Sequence, residues 1–365
     1  MKTQLLYKAI FVLFLMPTLV LGNDFHDKWK GKYTKEKKIN KEYDVNSDAT
    51  LKINNSYGNL DISTWDENRI VIEVTITTNG NNEEKVQKRL DEITVNFSAS
   101  EEWVAAETRF SKNKSNSWWN WAKSSNVSMK VNYLVKMPMT NNVNLSNDYG
   151  AINLGKLEGK ATINCDYGKI TTDELMADDN VLTFDYTNNS YFAYVKSGKV
   201  NADYSSYTIE KTKNLDINAD YTKSVVEVAE DVTYNCDYGS LTVDNVNNFR
   251  GNGDYVTIKL GDVYKNASIK SDYGSIRIDR LNKSVENVSI DSEYAGIKIG
   301  YDPAFNFNFE LDLEYAGLSG DDDFEFTKKQ VKSSQKYYIG HYGGSNSKGL
   351  VEINSEYGGV KFYKN

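Results

Sequence analysis

The chain has 365 residues, 39% of them hydrophobic, and a formal charge of −8. That is apolar material enough for two domains, and the acidic balance argues against nucleic-acid binding, which draws its affinity from a basic surface. Three prolines against 26 tyrosines suit a β-rich protein; with His26 and His341 as the two histidines, neither a Ser-His-Asp triad nor a Cys/His zinc site can be assembled.

Residues 1–22 read as a secretory signal. Lys2 and Lys8 supply the positive start, Ala9 to Leu21 the apolar run, and Val20-Leu21-Gly22 a cleavage site before Asn23. Its removal would leave a charge of about −10. The run is short for a membrane span, no other stretch is long enough, and no cysteine stands near the cleavage site to take a lipid. An exported protein is therefore expected, in the periplasm or on the surface of a Gram-negative cell. Residues 23–42, polar and lysine-rich, read as a flexible linker containing Trp29.

Residues 43–140 are expected to form an N-terminal α+β cap over the open edge of the C-terminal region. Leu51-Lys52-Ile53 and Ile70 to Ile76 read as strands. Residues 82–93 read as the one short helix, capped by Asn82, with Glu83 and Glu84 in its first turn and a stripe of Val86, Leu90 and Ile93. Thr94 to Ala99, Trp103 to Phe110 and Asn126 to Lys136 read as further strands. Between the last two lies a polar segment carrying Trp118, Trp119 and Trp121. These rings either plug the end of the fold or form an exposed patch for a glycan, a headgroup or a protein.

Residues 141–365 are organised by a repeat, acid-Tyr-Gly-x-apolar-x-apolar, clearest at Asp272-Tyr273-Gly274-Ser275-Ile276-Arg277-Ile278. The tyrosines are Tyr149, Tyr167, Tyr186, Tyr204, Tyr221, Tyr238, Tyr255, Tyr273, Tyr294 and Tyr315, at steps of 17 to 21. Tyr357 follows after 42, and Tyr57 is an outlying copy. Apolar residues recur four positions before the tyrosine and three and five after it; small ones, such as Cys165, Ala202 and Ser271, recur two before. That is two short strands joined at a corner. A period near twenty means stacked coils, each about 4.8 Å above the last. The expected fold is all-β: a single-stranded parallel β-helix, right-handed, on the order of 45–50 Å long. An excursion near 320–350 should carry a hairpin-like arm, Tyr337 to Gly344 with Gly349 to Asn354, ahead of the last copy.

Strand parity places the tyrosines inward, as an internal aromatic ladder, and the acids outward. Each acid is expected to accept from the backbone N–H two residues on, with glycine supplying the positive φ of the turn. A sugar-stacking tyrosine surface and a weak cation ridge at Asp237, Asp254 and Asp272 are the sharper alternatives. Cys165 and Cys236 share one slot four coils apart, roughly 19 Å at strand spacing. A disulfide needs Cα atoms within about 7 Å, so both are expected to be buried thiols.

Leu51-Lys52-Ile53, Tyr57-Gly58-Asn59-Leu60-Asp61-Ile62, Trp65-Asp66, the strand ending at Met137-Pro138 and the following Asp-Tyr-Gly copies resemble the bacterial putative-adhesin β-solenoid family. The resemblance implies a β-helix in the cell envelope and transfers no catalytic residue. The tryptophan segment is not part of it.

The function expected is non-enzymatic: an adhesin-like or scaffold protein that binds a surface glycan or envelope protein, without a cofactor. A polysaccharide-processing enzyme is the alternative. It would need a local cluster that interrupts the repeat, and only Arg277 and Arg280 beside Asp279 form a knot of charge, read as a surface salt bridge. An envelope-stress accessory that binds a membrane partner is a further alternative. Oligomeric state is left open.

Overall fold

The computed structural model describes residues 30–111, 126–344 and 346–365. The expected signal, His26, Trp29, and Trp118, Trp119 and Trp121 lie outside the described residues. The rest is all-β, a long unclosed sheet of 26 strands with one helix.

Each repeat supplies a strand on either side of its tyrosine, and successive repeats pair in parallel. Ala161–Asp166 runs beside Asn142–Asp148 with Ile163 opposite Leu145 and Asp166 opposite Asp148. Lys169–Leu175 continues past the corner beside Ala151–Leu154, Ile170 opposite Ile152. Between Tyr204 and Tyr273 the strands lengthen to Ser206–Asn218, Lys223–Asn235, Ser240–Asp254 and Thr257–Asp272, so that one strand serves both sides of its coil. Like positions stand opposite like positions, and their apolar side chains form one continuous buried core. Cys165 and Cys236 are buried free thiols in that core.

The N-terminal region closes the first coil. Thr50–Ser56 pairs in parallel with Asn142–Asp148 on one side and Trp103–Phe110 on the other. Leu60–Trp65 lies likewise between Ala151–Leu154 and Val127–Pro138. Beyond these the pairing turns antiparallel, with Ile93–Ala99 on Trp103–Phe110 and Arg69–Gly80 on Val127–Pro138. The helix is Glu83–Asp91; Asn82 Oδ1 caps it by accepting from Lys85 N–H at 2.9 Å, and Val86 and Leu90 are buried. Ile93 already begins the next strand.

Two expectations are corrected here. The lysine-rich segment read as linker forms the strand Tyr33–Asp44, antiparallel to Arg69–Gly80 from Tyr33 opposite Gly80 to Asp44 opposite Arg69. Lysines on an outermost strand discourage further pairing, so the composition of an edge strand imitates that of a linker. At the other end the arm is not 337–354. Glu325–Val331 and Gln335–Tyr342 form the hairpin, and Gln335–Tyr342 lies antiparallel on Phe307–Glu314. Gly349–Glu356 belongs to the last repeat, which does not add beyond the Tyr315 coil. It inserts in parallel between Asn287–Glu293 and Phe307–Glu314, with Ile353 opposite both Ile290 and Leu311.

Candidate functional site

The ridge begins with a backbone conformation. All twelve repeat tyrosines have φ between 48° and 63°. A left-handed conformation costs a non-glycine residue roughly 1–2 kcal/mol, and asparagine or glycine would bear it more easily. It adds one residue to the corner and shifts the strand parity. Positions before the tyrosine alternate to an outward acid, the tyrosine also points outward, and the next residue points in: Thr187, Ser205, Thr222, Val256 and Ala295 are buried there. The tyrosines are therefore not an internal ladder. From Tyr167 to Tyr357 they are 45–58% exposed.

They stack nonetheless. From Tyr57 through Tyr149 to Tyr294, then Tyr357 and last Tyr315, neighbouring rings lie 4.6–5.1 Å apart and within 8° of parallel. The file is roughly 50 Å long at strand spacing. Each stacked pair contributes about 0.5–1.5 kcal/mol, which offsets the left-handed backbone. At the N-terminal end Phe110 meets Tyr57 edge-on at 6.1 Å.

Glycine does not supply the positive φ: among the described residues the positive-φ glycines are Gly320 and Gly343, outside the repeat corners. Where the residue after the tyrosine is glycine, it lies close against the backbone of a neighbouring coil. A Cβ at Gly274 would lie 2.0 Å from the Val256 carbonyl oxygen of the preceding coil.

The acids point outward as expected, but their bonds run between coils. Asp166 accepts from Asp185 N–H at 3.3 Å, Asp185 from Asp203 at 3.2 Å, Asp220 from Asp237 at 2.7 Å, and Asp272 from Glu293 at 3.0 Å. Except for Tyr315, whose N–H bonds to the Ser334 carbonyl at 2.7 Å, the tyrosine N–H groups bond to the backbone carbonyl of the acid in the next coil, as Tyr238 does to Asp254 at 3.0 Å. The corner is thus hydrogen-bonded along the rod by backbone and carboxylate together. Crowding leaves its mark. Burial and then the neighbouring Asp166 raise the Asp148 carboxyl. Asp185 is raised by burial and by Asp166 and Asp203, against the hydrogen bond from Asp203. Burial, Glu293 and Glu314 raise Glu356.

Beside the acids runs an asparagine column, Asn201, Asn218, Asn235 and Asn252, which with Asp203, Asp220 and Asp237 lines a groove of about 530 Å3. Asn218 and Asn235 each donate to the asparagine before them at 3.4 Å. Asp237, Asp254 and Asp272 stand together on this ridge. Asp237 is occupied by the N–H of Asp254 and Asp272 by that of Glu293. Among the described residues no group of three or more His, Cys, Asp or Glu is placed to hold a metal ion. Arg277 binds Asp279 at 2.5 Å, Lys259 lies 3.4 Å from the same carboxylate, and Arg280 reaches Asp262 of the previous coil. Burial alone would raise Asp279; the bond from Arg277 and the Lys259 charge prevail and hold it below the usual carboxylate range.

No protein-family model matches the chain, and no curated protein matches it. The chain is similar to the solved structure of a putative cell adhesion protein from Clostridium sporogenes, at 12% identity over 91% of this chain and 100% of that one, TM-score 0.18. It is similar also to putative adhesins from Parabacteroides distasonis (11% identity, 75% and 94% covered, TM-score 0.31) and Parabacteroides merdae (11%, 73% and 92%, TM-score 0.30). These names agree with the resemblance carried by the sequence motifs. At such scores the functional reading rests on this chain's own residues. No helix among the described residues is long and apolar enough to cross a membrane.

Proposed function

We propose that this is a non-enzymatic, exported cell-envelope protein that acts as an adhesin-like module and presents the tyrosine–acid ridge to a surface glycan or envelope protein. The chain path is read as a single-stranded parallel β-helix, right-handed by the crossover preference of parallel strands. The observation that carries the proposal is the file of left-handed, half-exposed tyrosines. Left-handed non-glycine residues repeated along one half-exposed file are backbone outliers of the kind that cluster at functional surfaces. The rings cover one another's faces, so they offer ring edges and hydroxyls rather than open faces for a sugar to stack upon. Hydrogen bonding from the phenols and the neighbouring asparagines is the recognition chemistry.

The alternative of a polysaccharide-processing enzyme has less support. A general acid needs a carboxyl with a raised pKa set apart from its neighbours. The raised carboxyls here belong to the repeated column, and Asp279, the one in a distinct cluster, is held charged by Arg277. Trp118, Trp119 and Trp121 are proposed as a second contact on sequence grounds alone. The test is binding to isolated envelope material and to immobilised neutral and acidic glycans. Y221S/Y238S/Y255S should weaken binding at least about tenfold, worth 1.4 kcal/mol, with the circular dichroism unchanged. Loss of binding on W118A/W119A/W121A instead would move the site off the ridge.

A further inference from the structure

The outward column four residues after the repeat tyrosine, five in the Tyr186 coil, changes character along the rod. In register it reads Asn153, Thr171, Tyr191, Thr208, Val225 and Thr242. These are chiefly the β-branched and aromatic residues that a sheet surface favours. It then becomes Lys259 opposite Arg277, Arg277 opposite Lys298, and Lys298 opposite Lys361. Four cations on consecutive strands, about 4.8 Å apart, repel one another and are unfavourable for the sheet. Asp279 relieves the first two. Lys298 and Lys361 are exposed and form no ion pair among the described residues.

Between this column and the tyrosines the outward positions shrink to Thr257, Ser275, Gly296, Gly359 and Gly317. A Cβ added at Gly296 or Gly317 would meet nothing within 4 Å, so the space above them is open. The result is a shallow channel along the rod, with tyrosines on one side, cations on the other and a floor of small residues that becomes bare glycine at Gly296, Gly359 and Gly317. The acids lie beyond the tyrosines, so opposite charges are segregated across the ring file.

We infer that this C-terminal channel binds a linear acidic polysaccharide along the rod, its carboxylates or sulfates on Arg277, Lys298 and Lys361 and its hydroxyls toward Tyr273, Tyr294 and Tyr357. This rests on the glycan-binding reading of the ridge and names the ligand class. A polymer with an acid group on each sugar can reach Arg277, Lys298 and Lys361 while lying across the ring file from Asp272, Glu293 and Glu356. Double-stranded DNA, with one charge per about 1.7 Å, and an extended anionic membrane would meet that acid column as well as the cations.

The test measures binding of the full chain to polygalacturonate, with dextran, single-stranded DNA and phosphatidylglycerol vesicles as comparisons, at low and high salt. Polygalacturonate binding that weakens with salt is expected, with a loss of about tenfold in K298Q/K361Q. K298R/K361R should restore it, which excludes a folding defect as the cause. Binding to dextran or envelope glycan that K298Q/K361Q leaves unchanged overturns the acidic-channel assignment while the ridge reading stands. Binding to no glycan at all overturns both. Equal or tighter binding to DNA or vesicles overturns the choice of polysaccharide.

Discussion

The coils from Tyr204 to Tyr273 and the coils from Tyr294 to Tyr357 share one corner and differ in almost everything else. In the first group the chain advances by one coil every 17 or 18 residues, and each coil rests on its neighbour in sequence. In the second the order in space is Tyr294, Tyr357, Tyr315, because the chain leaves the stack, builds an antiparallel hairpin and returns to fill the gap between them. Outward residues differ as well: side chains such as Thr257 and Ser275 stand beside the cations Lys259 and Arg277 at the end of the first group, whereas Lys298 and Lys361 in the second stand beside Gly296 and Gly359. A repeat therefore specifies what a coil looks like and which side chains line up, and leaves open which coil is next to which. Adjacency is a matter of what must be covered, and the returning strand covers two open edges at once.

The largest effect should come from removing that inserted coil. Deletion of residues 349–365 exposes both neighbouring edges, and the melting midpoint should fall by about 10 °C or more with exposed apolar surface. A removal of the terminal rung alone would be milder, so a small shift would mean the Tyr357 coil is not an interior one. Next, Leu260→Ala in the regular coils should cost about 2–5 kcal/mol in denaturant unfolding, since Leu260 is fully buried.

At the ridge, Tyr238 stacks on Tyr221 at 5.1 Å and Tyr255 at 4.8 Å with φ 57°. Tyr238→Ala loses both contacts and keeps the left-handed backbone, so it should destabilise by about 1–2 kcal/mol. Tyr238→Gly loses the same contacts and relieves the backbone, and should be more stable than the alanine variant by about 1 kcal/mol. Equal stability of the two would show that the corner is not strained.

A smaller effect separates the ridge acids by pH. The raised Asp185 carboxyl keeps its proton to higher pH folded than unfolded. Between the ordinary value of 3.8 and the raised one the folded state binds more protons, so this group's contribution falls as pH rises and stays unfavourable above that window. Asp185→Asn retains the acceptor for Asp203 N–H and removes the charge. It should therefore stabilise the protein at neutral pH, with the gain vanishing in acid; a pH-independent gain would assign it to packing. The smallest signal lies in the core. Burial pushes the Cys165 thiol up to about 12 and Cys236 to about 11. Both should resist iodoacetamide until the protein unfolds.

Coil spacing, the inward files of Ile and Val, the helix capped by Asn82 and the separation of Cys165 from Cys236 were all legible in the chain, because each follows from local period and from like positions stacking. The inward reading of tyrosine was not, although a trace of it is present. Apolar residues stand at even positions before the tyrosine and odd positions after it, which one unbroken strand cannot do. One residue had to leave the alternation, and burial and backbone geometry together show that it is the tyrosine. The carboxylate bonds between coils, the edge strand at Tyr33–Asp44 and the cation column needed neighbours from distant sequence. Residues such as Lys298 and Lys361 are 63 positions apart and become adjacent only once the last repeat has threaded back into the stack. Local pattern sets the shape of a coil through sterics and burial; long-range pairing chooses its neighbours through the edges left open, and that choice assembles the surface.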